Sequence, residues 1–146
     1  MKHRFPIVKT IFVALVLSLC CVQSAAQENH GKAAQAVMLV VQSQLLAFAE
    51  DDAETAFSLA TESTQSLART PNDFLKVIKQ RFTPIYRHRN AVFSEPEIIE
   101  GHALQVVQLI DHDNLVWIAI YEVEREADGT WKVDGCQLFE TNNMSI

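Results

Sequence analysis

Cysteine is scarce in this chain, and where it is missing matters more than the count. Two of the three, Cys20 and Cys21, fall in an N-terminal leader, so Cys136 stands alone beyond it. A domain with one thiol has no internal disulfide and must be stable through packing. Four glycines leave no room for a glycine-rich phosphate loop, and no HExxH, CxxC or GxSxG pattern occurs. Basic residues are outnumbered, 12 against 18 acidic. Long apolar runs are missing too. Ile11 to Leu19 is short for a bilayer, as is Leu115 to Tyr121.

What the first residues do carry is an export pattern. Lys2, Arg4 and Lys9 give a positive start, Ile11 to Leu19 an apolar core, and Ser24-Ala25-Ala26 the small residues a signal peptidase requires. Residues 1–26 read as a signal peptide cleaved after Ala26, which implies a periplasmic or secreted protein of a Gram-negative bacterium. Leu19 before Cys20 argues against a lipid anchor, and cleavage leaves no stable membrane insertion. Cleavage also removes three of the 12 basic residues and none of the 18 acids, so the mature net charge is −9. That balance argues against nucleic acid or anionic lipid as a partner. Residues 27–146 then form one domain, long enough to bury a core without cross-links.

Gln27 to Lys32 is polar and reads as a flexible leader, with a single domain over 33–146. Met38, Val41, Leu45 and Phe48 recur on one helical face, predicting a helix from Ala33 to about Glu50. Asp51, with Glu54 three residues on, predicts the cap of a second helix carrying Ala56, Phe57 and Ala60. Thr61 to Ala68 is either loop or a weak continuation. Thr70-Pro71-Asn72-Asp73 starts a third helix, on which Phe74, Ile78 and Phe82 recur until Pro84.

After Tyr86 the pattern turns to strands. Ala91 to Phe93 and Glu97 to Ile99 flank Pro96, which predicts an edge strand or a bulge. His102 to Ile110 is a longer strand, Asp111 to Asn114 a turn, and Leu115 to Tyr121 runs into a hairpin through Asp128-Gly129 to Trp131. The expected fold is α+β: three N-terminal helices packed on a curved antiparallel sheet of about four strands. There are no internal repeats, low-complexity tracts or linkers.

Ala47-Phe48-Ala49-Glu50-Asp51-Asp52 with Ala56-Phe57, Asn72-Asp73-Phe74, and Thr83-Pro84-Ile85-Tyr86-Arg87 form one set of matching pieces. Val107-Gln108-Leu109 and Asp128 to Cys136 (DGTWKVDGC) complete it, the last being the most specific. On these pieces, spanning most of 37–139, the chain resembles the bacterial family of domains of unknown function 4864. That family lies within the wider nuclear-transport-factor-2-like, cystatin-like cone fold. Leu67 and Phe82 depart from the Phe and Tyr expected there, which keeps packing but removes one hydroxyl. The resemblance implies three helices packed into a strongly curved sheet, and no activity.

Function then turns on which polar residues enter the cone. Leu104, Val106 and Ile110 share a strand face with Gln108. If Trp131, Val133 and Phe139 face the helices, Gln137 faces them too, unless Gly135 introduces a bulge that shifts the register. Buried amides must be hydrogen-bonded, so Gln108 and Gln137 either bond within the protein or await a small polar or amphipathic ligand. Tyr86, Trp117 and Tyr121 would be the apolar walls of that ligand site. No catalytic acid or base can be placed. His102, the Asp111-His112-Asp113 tip and the Arg87-His88-Arg89 stretch read as turns or solvated rim, and Cys136 as a small core residue. No cofactor or metal is implied. On the central strand Val116, Ile118 and Ile120 need cover if the helices take the other face, which predicts a homodimer through the sheet. The expected role is a non-catalytic small-ligand or protein-binding module. The alternatives are an isomerase, dehydratase or hydrolase with a pocket acid, and a structural accessory subunit with a filled cone.

Overall fold

The computed structural model describes the backbone of residues 8–141 and the side chains of residues 26–141. Lys2 and Arg4 lie outside the described residues, and so do the side chains of the apolar leader. The chain forms two compact units, Met1–Ala33 and Ala34–Ile146. The second holds the whole sheet and the helices that cover it.

Its first element is the C-terminal part of helix α1 (Val8–Ala49). The helix runs through Gly31 without interruption, so Gln27 to Lys32 are helical rather than an irregular leader. Val37, Val41, Leu45 and Phe48 are all but fully buried, which follows from their three-four spacing. Met38, expected on this stripe, lies at its half-buried margin and Val37 takes the central place. Ala26–Ala49 is long and apolar enough to cross a membrane by length and composition, with 44% of its apolar window buried in the fold and Leu39 and Leu46 exposed.

Helix α2 (Ala53–Ser58) is capped by Asp52, whose carboxylate accepts from the Thr55 amide, and not by Asp51. Asp51 instead takes the left-handed conformation at φ 58°. The Ser- and Thr-rich stretch is a helix of its own, α3 (Glu62–Ala68), capped by Thr61. Helix α4 (Pro71–Arg81) starts as expected, with Thr70 accepting from the Asp73 amide and proline in the first turn. The short α5 (Thr83–Tyr86) uses Pro84 in its first turn. Phe74 of α4 packs on Phe48 of α1 and Phe57 of α2, with ring centroids 5.8 and 6.0 Å apart. Burial of such rings contributes about 2–3 kcal/mol each.

The helices pack on a five-stranded, wholly antiparallel open sheet of order β1-β3-β4-β5. It comprises β1 (His88–Phe93), β2 (Glu97–Ile99), β3 (His102–Asp111), β4 (Val116–Arg125) and β5 (Trp131–Glu140). Strands β1 and β2 pair end to end along one edge of β3, with Pro96 in the break between them. Proline has no N–H to give a ladder, so an edge is where it fits. Gly129, at φ 88°, closes the β4–β5 turn in a conformation that a side chain would strain.

The face against the helices carries Ala103, Gln105, Val107 and Leu109 of β3, and Ala119, Tyr121 and Val123 of β4. Trp131 and Val133 begin the same face on β5. Between Glu122 and Val123 the β4–β5 register shifts by one residue. Asp134 is the extra residue of that bulge. Beyond it Cys136 stands opposite Tyr121, while Gln137 and Phe139 turn to the other face.

Candidate functional site

Three polar side chains cross the helix-covered face in one row. Gln105 on β3 stands opposite Tyr121 on β4, which stands opposite Cys136 on β5. Gln105 is 0% exposed and Tyr121 1%. The Gln105 Nε2 donates to the carbonyls of Ser94 (2.7 Å) and Val106 (2.9 Å). Its Oε1 has no hydrogen-bond partner among the described residues, and neither does the Tyr121 hydroxyl. Buried polar atoms are nearly always paired, so two orphans at facing positions single out this row.

Tyr121 and Cys136 belong to the wall of a cavity of about 180 Å³ between the helices and the β5 bulge. Phe48, Phe74, Ile78, Phe82 and Ile85 form most of the rest, with Gln44 from α1. Gln44 is itself buried and donates to the Ala56 carbonyl at 3.1 Å. Val77 is the exposed lining residue, and Thr64, Phe82, Asp134, Gly135 and Cys136 are half-buried. Asp134 is held there through one carboxylate oxygen and its carbonyl. Its Oδ1 accepts from Thr61 Oγ1 (2.6 Å) and Ser63 Oγ (2.9 Å), and its carbonyl accepts from Thr64 Oγ1 (2.6 Å).

Burial keeps Tyr121 and Cys136 neutral. Burial pushes the Tyr121 phenol well above its usual pKa, with Cys136 adding to the effect. Burial likewise pushes the Cys136 thiol up to about 12, against an opposing pull from the Tyr121 hydroxyl. At neutral pH these two groups are therefore a protonated phenol and a protonated thiol, neither a nucleophile nor a base.

The residues expected at the ligand site divide differently. Only Tyr121 lines this cavity. Gln108, opposite Ile118, lies on the outer face and is exposed, because the inner parity of β3 is the odd-numbered one and the buried amide is Gln105. Gln137 is exposed on the same outer face, turned there by the bulge, with one long bond to Glu122 at 3.4 Å. The Trp117 indole donates to Asp111 Oδ2 at 2.8 Å, at the hairpin tip. Tyr86 is buried, but its hydroxyl donates to Asp51 (2.7 Å) and accepts from Arg87 (2.7 Å). Lys79 pairs with the same Asp51 at 2.8 Å, and Lys79 and Arg87 both lie over the Tyr86 ring.

Sequence reading passed over Gln44, Gln105 and Asp134. The first had a legible signal, sitting three residues after Val41 and four before Phe48 on the buried stripe. His112 and Asp113 do not converge with Asp111 on a common point, and among the described residues no three His, Cys, Asp or Glu side chains group as metal ligands.

The chain matches a known domain family over residues 30–146, most of its length. It belongs to the family described as domain of unknown function DUF4864. No curated protein and no solved structure matches it. The DUF4864 match takes in every element that builds the cavity, from the C-terminal part of α1 to β5.

Proposed function

We propose that this DUF4864 domain is an exported, non-catalytic binding module whose cavity takes a small molecule. The observation that carries the reading is the cavity itself, about 180 Å³ and walled mainly by Phe48, Phe74, Ile78, Phe82 and Ile85. A concave, mostly apolar space of that size is the usual setting of a small-molecule site. The protonated thiol and phenol argue against the enzyme reading, since proton abstraction needs a group poised near the working pH. Native mass spectrometry of protein purified from the periplasm tests it. A small molecule retained on the folded protein and released on denaturation is expected. A bare mass, with no xenon uptake by the cavity in NMR, overturns the binding role.

Export is supported by the positively charged start and the apolar run Ile11 to Leu19, which are compatible with a signal sequence. The order of helices, then a bulged antiparallel sheet that they cover, supports the nuclear-transport-factor-2-like cone. The outer sheet face favours a second element of the reading, a homodimer. Leu104 and Phe139 are 44% and 43% exposed there, beside half-exposed Val116, Ile118 and Ile120. Ile118→Glu should lower the mass seen in light scattering. An unchanged mass for the folded variant would count against pairing through this face.

A further inference from the structure

We infer that the open edge of β1 and the apolar groove beside it take an extended peptide segment of another protein, added as a strand with a carboxylate at the His88 end. This surface is separate from the cavity and independent of the role proposed for it. Strand β1 ends the sheet order, and among the described residues no strand pairs its outer side. The opposite edge is partly closed, since Val133 of β5 exchanges backbone bonds with Leu59 and Thr61. The Ser94 amide donates to the Val106 carbonyl at 3.1 Å, and such bonds recur at every second residue of an antiparallel ladder. Val92, opposite Gln108, therefore turns its backbone groups to β3, while Ala91 and Phe93 turn theirs outward. The Ala91 amide meets the side-chain oxygen of its neighbour Asn90 at 3.0 Å. A row of outward strand groups is a template for another chain.

The groove decides what kind of chain fits. Ala91 and Phe93 pair with Leu109 and Val107 of the helix-covered face, so their side chains point towards the helices. With Leu45, Leu46 and Ala49 of α1 they line a space of about 250 Å³. Leu46 is 57% exposed. A strand laid beside β1 sends alternate side chains into this space, which suits small apolar residues at every second position. Charge complementarity sets the end. The lining holds no acid, and its titratable residue is His88. The His88 Nδ1 donates to the Ile85 carbonyl at 2.9 Å, which leaves Nε2 as the nitrogen without a partner among the described residues. Arg89 follows and forms no salt bridge among them, donating instead to Asn114 Oδ1 at 2.6 Å. Asp111, opposite His88 on β3, has both carboxylate oxygens bonded to Trp117 and two turn amides. A carboxylate on the peptide, from an acidic side chain or a chain end, gives that cationic end its partner.

The test titrates the whole protein, followed by NMR, with an acetylated hexapeptide of alternating Thr and Val. It is used as the free acid, as the C-terminal amide, and as the amide with Glu in last place. Binding should shift the amide signals of Ala91 and Phe93. One or both carboxylate forms should bind about tenfold tighter than the plain amide, the value of one charge-assisted hydrogen bond. Either preference supports the assignment and names the source of the carboxylate, whereas equal affinity of all three peptides overturns it. His88→Gln combined with Arg89→Gln should erase the preference. Methylating alternate backbone nitrogens of the peptide should abolish binding for one set of positions and spare it for the other. Equal effects of the two sets would overturn strand addition. Leu46→Glu, at an exposed position, should abolish binding in a folded protein, and retained binding would place the peptide elsewhere and overturn the proposal. So would the absence of binding by any of the peptides. Ala91 and Phe93 signals that follow protein concentration and ignore peptide would assign the edge to a second copy of this chain and likewise overturn it.

Discussion

Gln105 and Tyr121 face each other across β3 and β4, each with a buried oxygen that nothing among the described residues bonds. Their backgrounds differ. Gln105 also ties the sheet to Ser94 through Nε2, at the break between β1 and β2. Tyr121 gives no such return. Tyr121→Phe should therefore raise stability by about 1 kcal/mol in urea unfolding, because it deletes an unpaired group. Gln105→Leu should lower it by about 1–3 kcal/mol, because the Ser94 carbonyl loses its donor. A destabilised Tyr121→Phe would mean the hydroxyl has a partner after all.

Asp51 should contribute to acid sensitivity, alongside Asp52, Asp111 and Asp128, whose carboxyls are also held below the usual range. The hydrogen bond from Lys79, then that from Tyr86, hold the Asp51 carboxyl below the usual carboxylate range. A folded pKa lower than the unfolded one contributes stability at neutral pH, and that contribution is lost as pH falls from about 4 through the folded value. Asp51→Asn should flatten the loss of urea midpoint between about pH 4.5 and 2.5. A variant with the wild-type slope would remove Asp51 as one of its sources.

Much of this was readable from the chain. The α4 start, the Pro96 break at an edge and the β4–β5 hairpin all follow from local chemistry. The parity of β3 did not. His102 to Ile110 carries three apolar residues and one glutamine on each face, so alternation alone gives no preference between Gln105 and Gln108. Only the pairing of Gln105 with Tyr121 decides it, and that is a long-range fact. On β5 the signal was present as Gly135, but whether a glycine marks a bulge depends on the strand beside it. Asp51 misled for a related reason. A cap and its neighbour are chemically alike, and the partners of Asp51 are Lys79 and Tyr86, both distant in sequence.

Helix α3 should be the first part of the domain to open. It buries no residue of its own, and its N-terminal turn is tied to the β5 bulge by the three hydroxyl contacts to Asp134. Asp134→Ala should cost about 1–3 kcal/mol and speed amide exchange over 62–68 while leaving Phe74 to Ile78 protected. Uniform exchange acceleration across both helices would mean that α3 and α4 open as one unit.

The hairpin tip offers a direct spectroscopic check on the charge assignments. Asp111 accepts from the Trp117 indole and from the amides of Asp113 and Leu115. The indole bond is the largest of several influences that hold its carboxyl below the usual range. Because that bond weakens when the carboxylate is protonated, the Trp117 Nε1–H resonance should shift with a midpoint below the ordinary value of about 3.9. Asp111→Asn should remove the transition and leave the indole signal of Trp131 unmoved. A midpoint at or above the ordinary value would show that the indole does not bond the carboxylate in solution. The turn would then rest on the two backbone contacts alone.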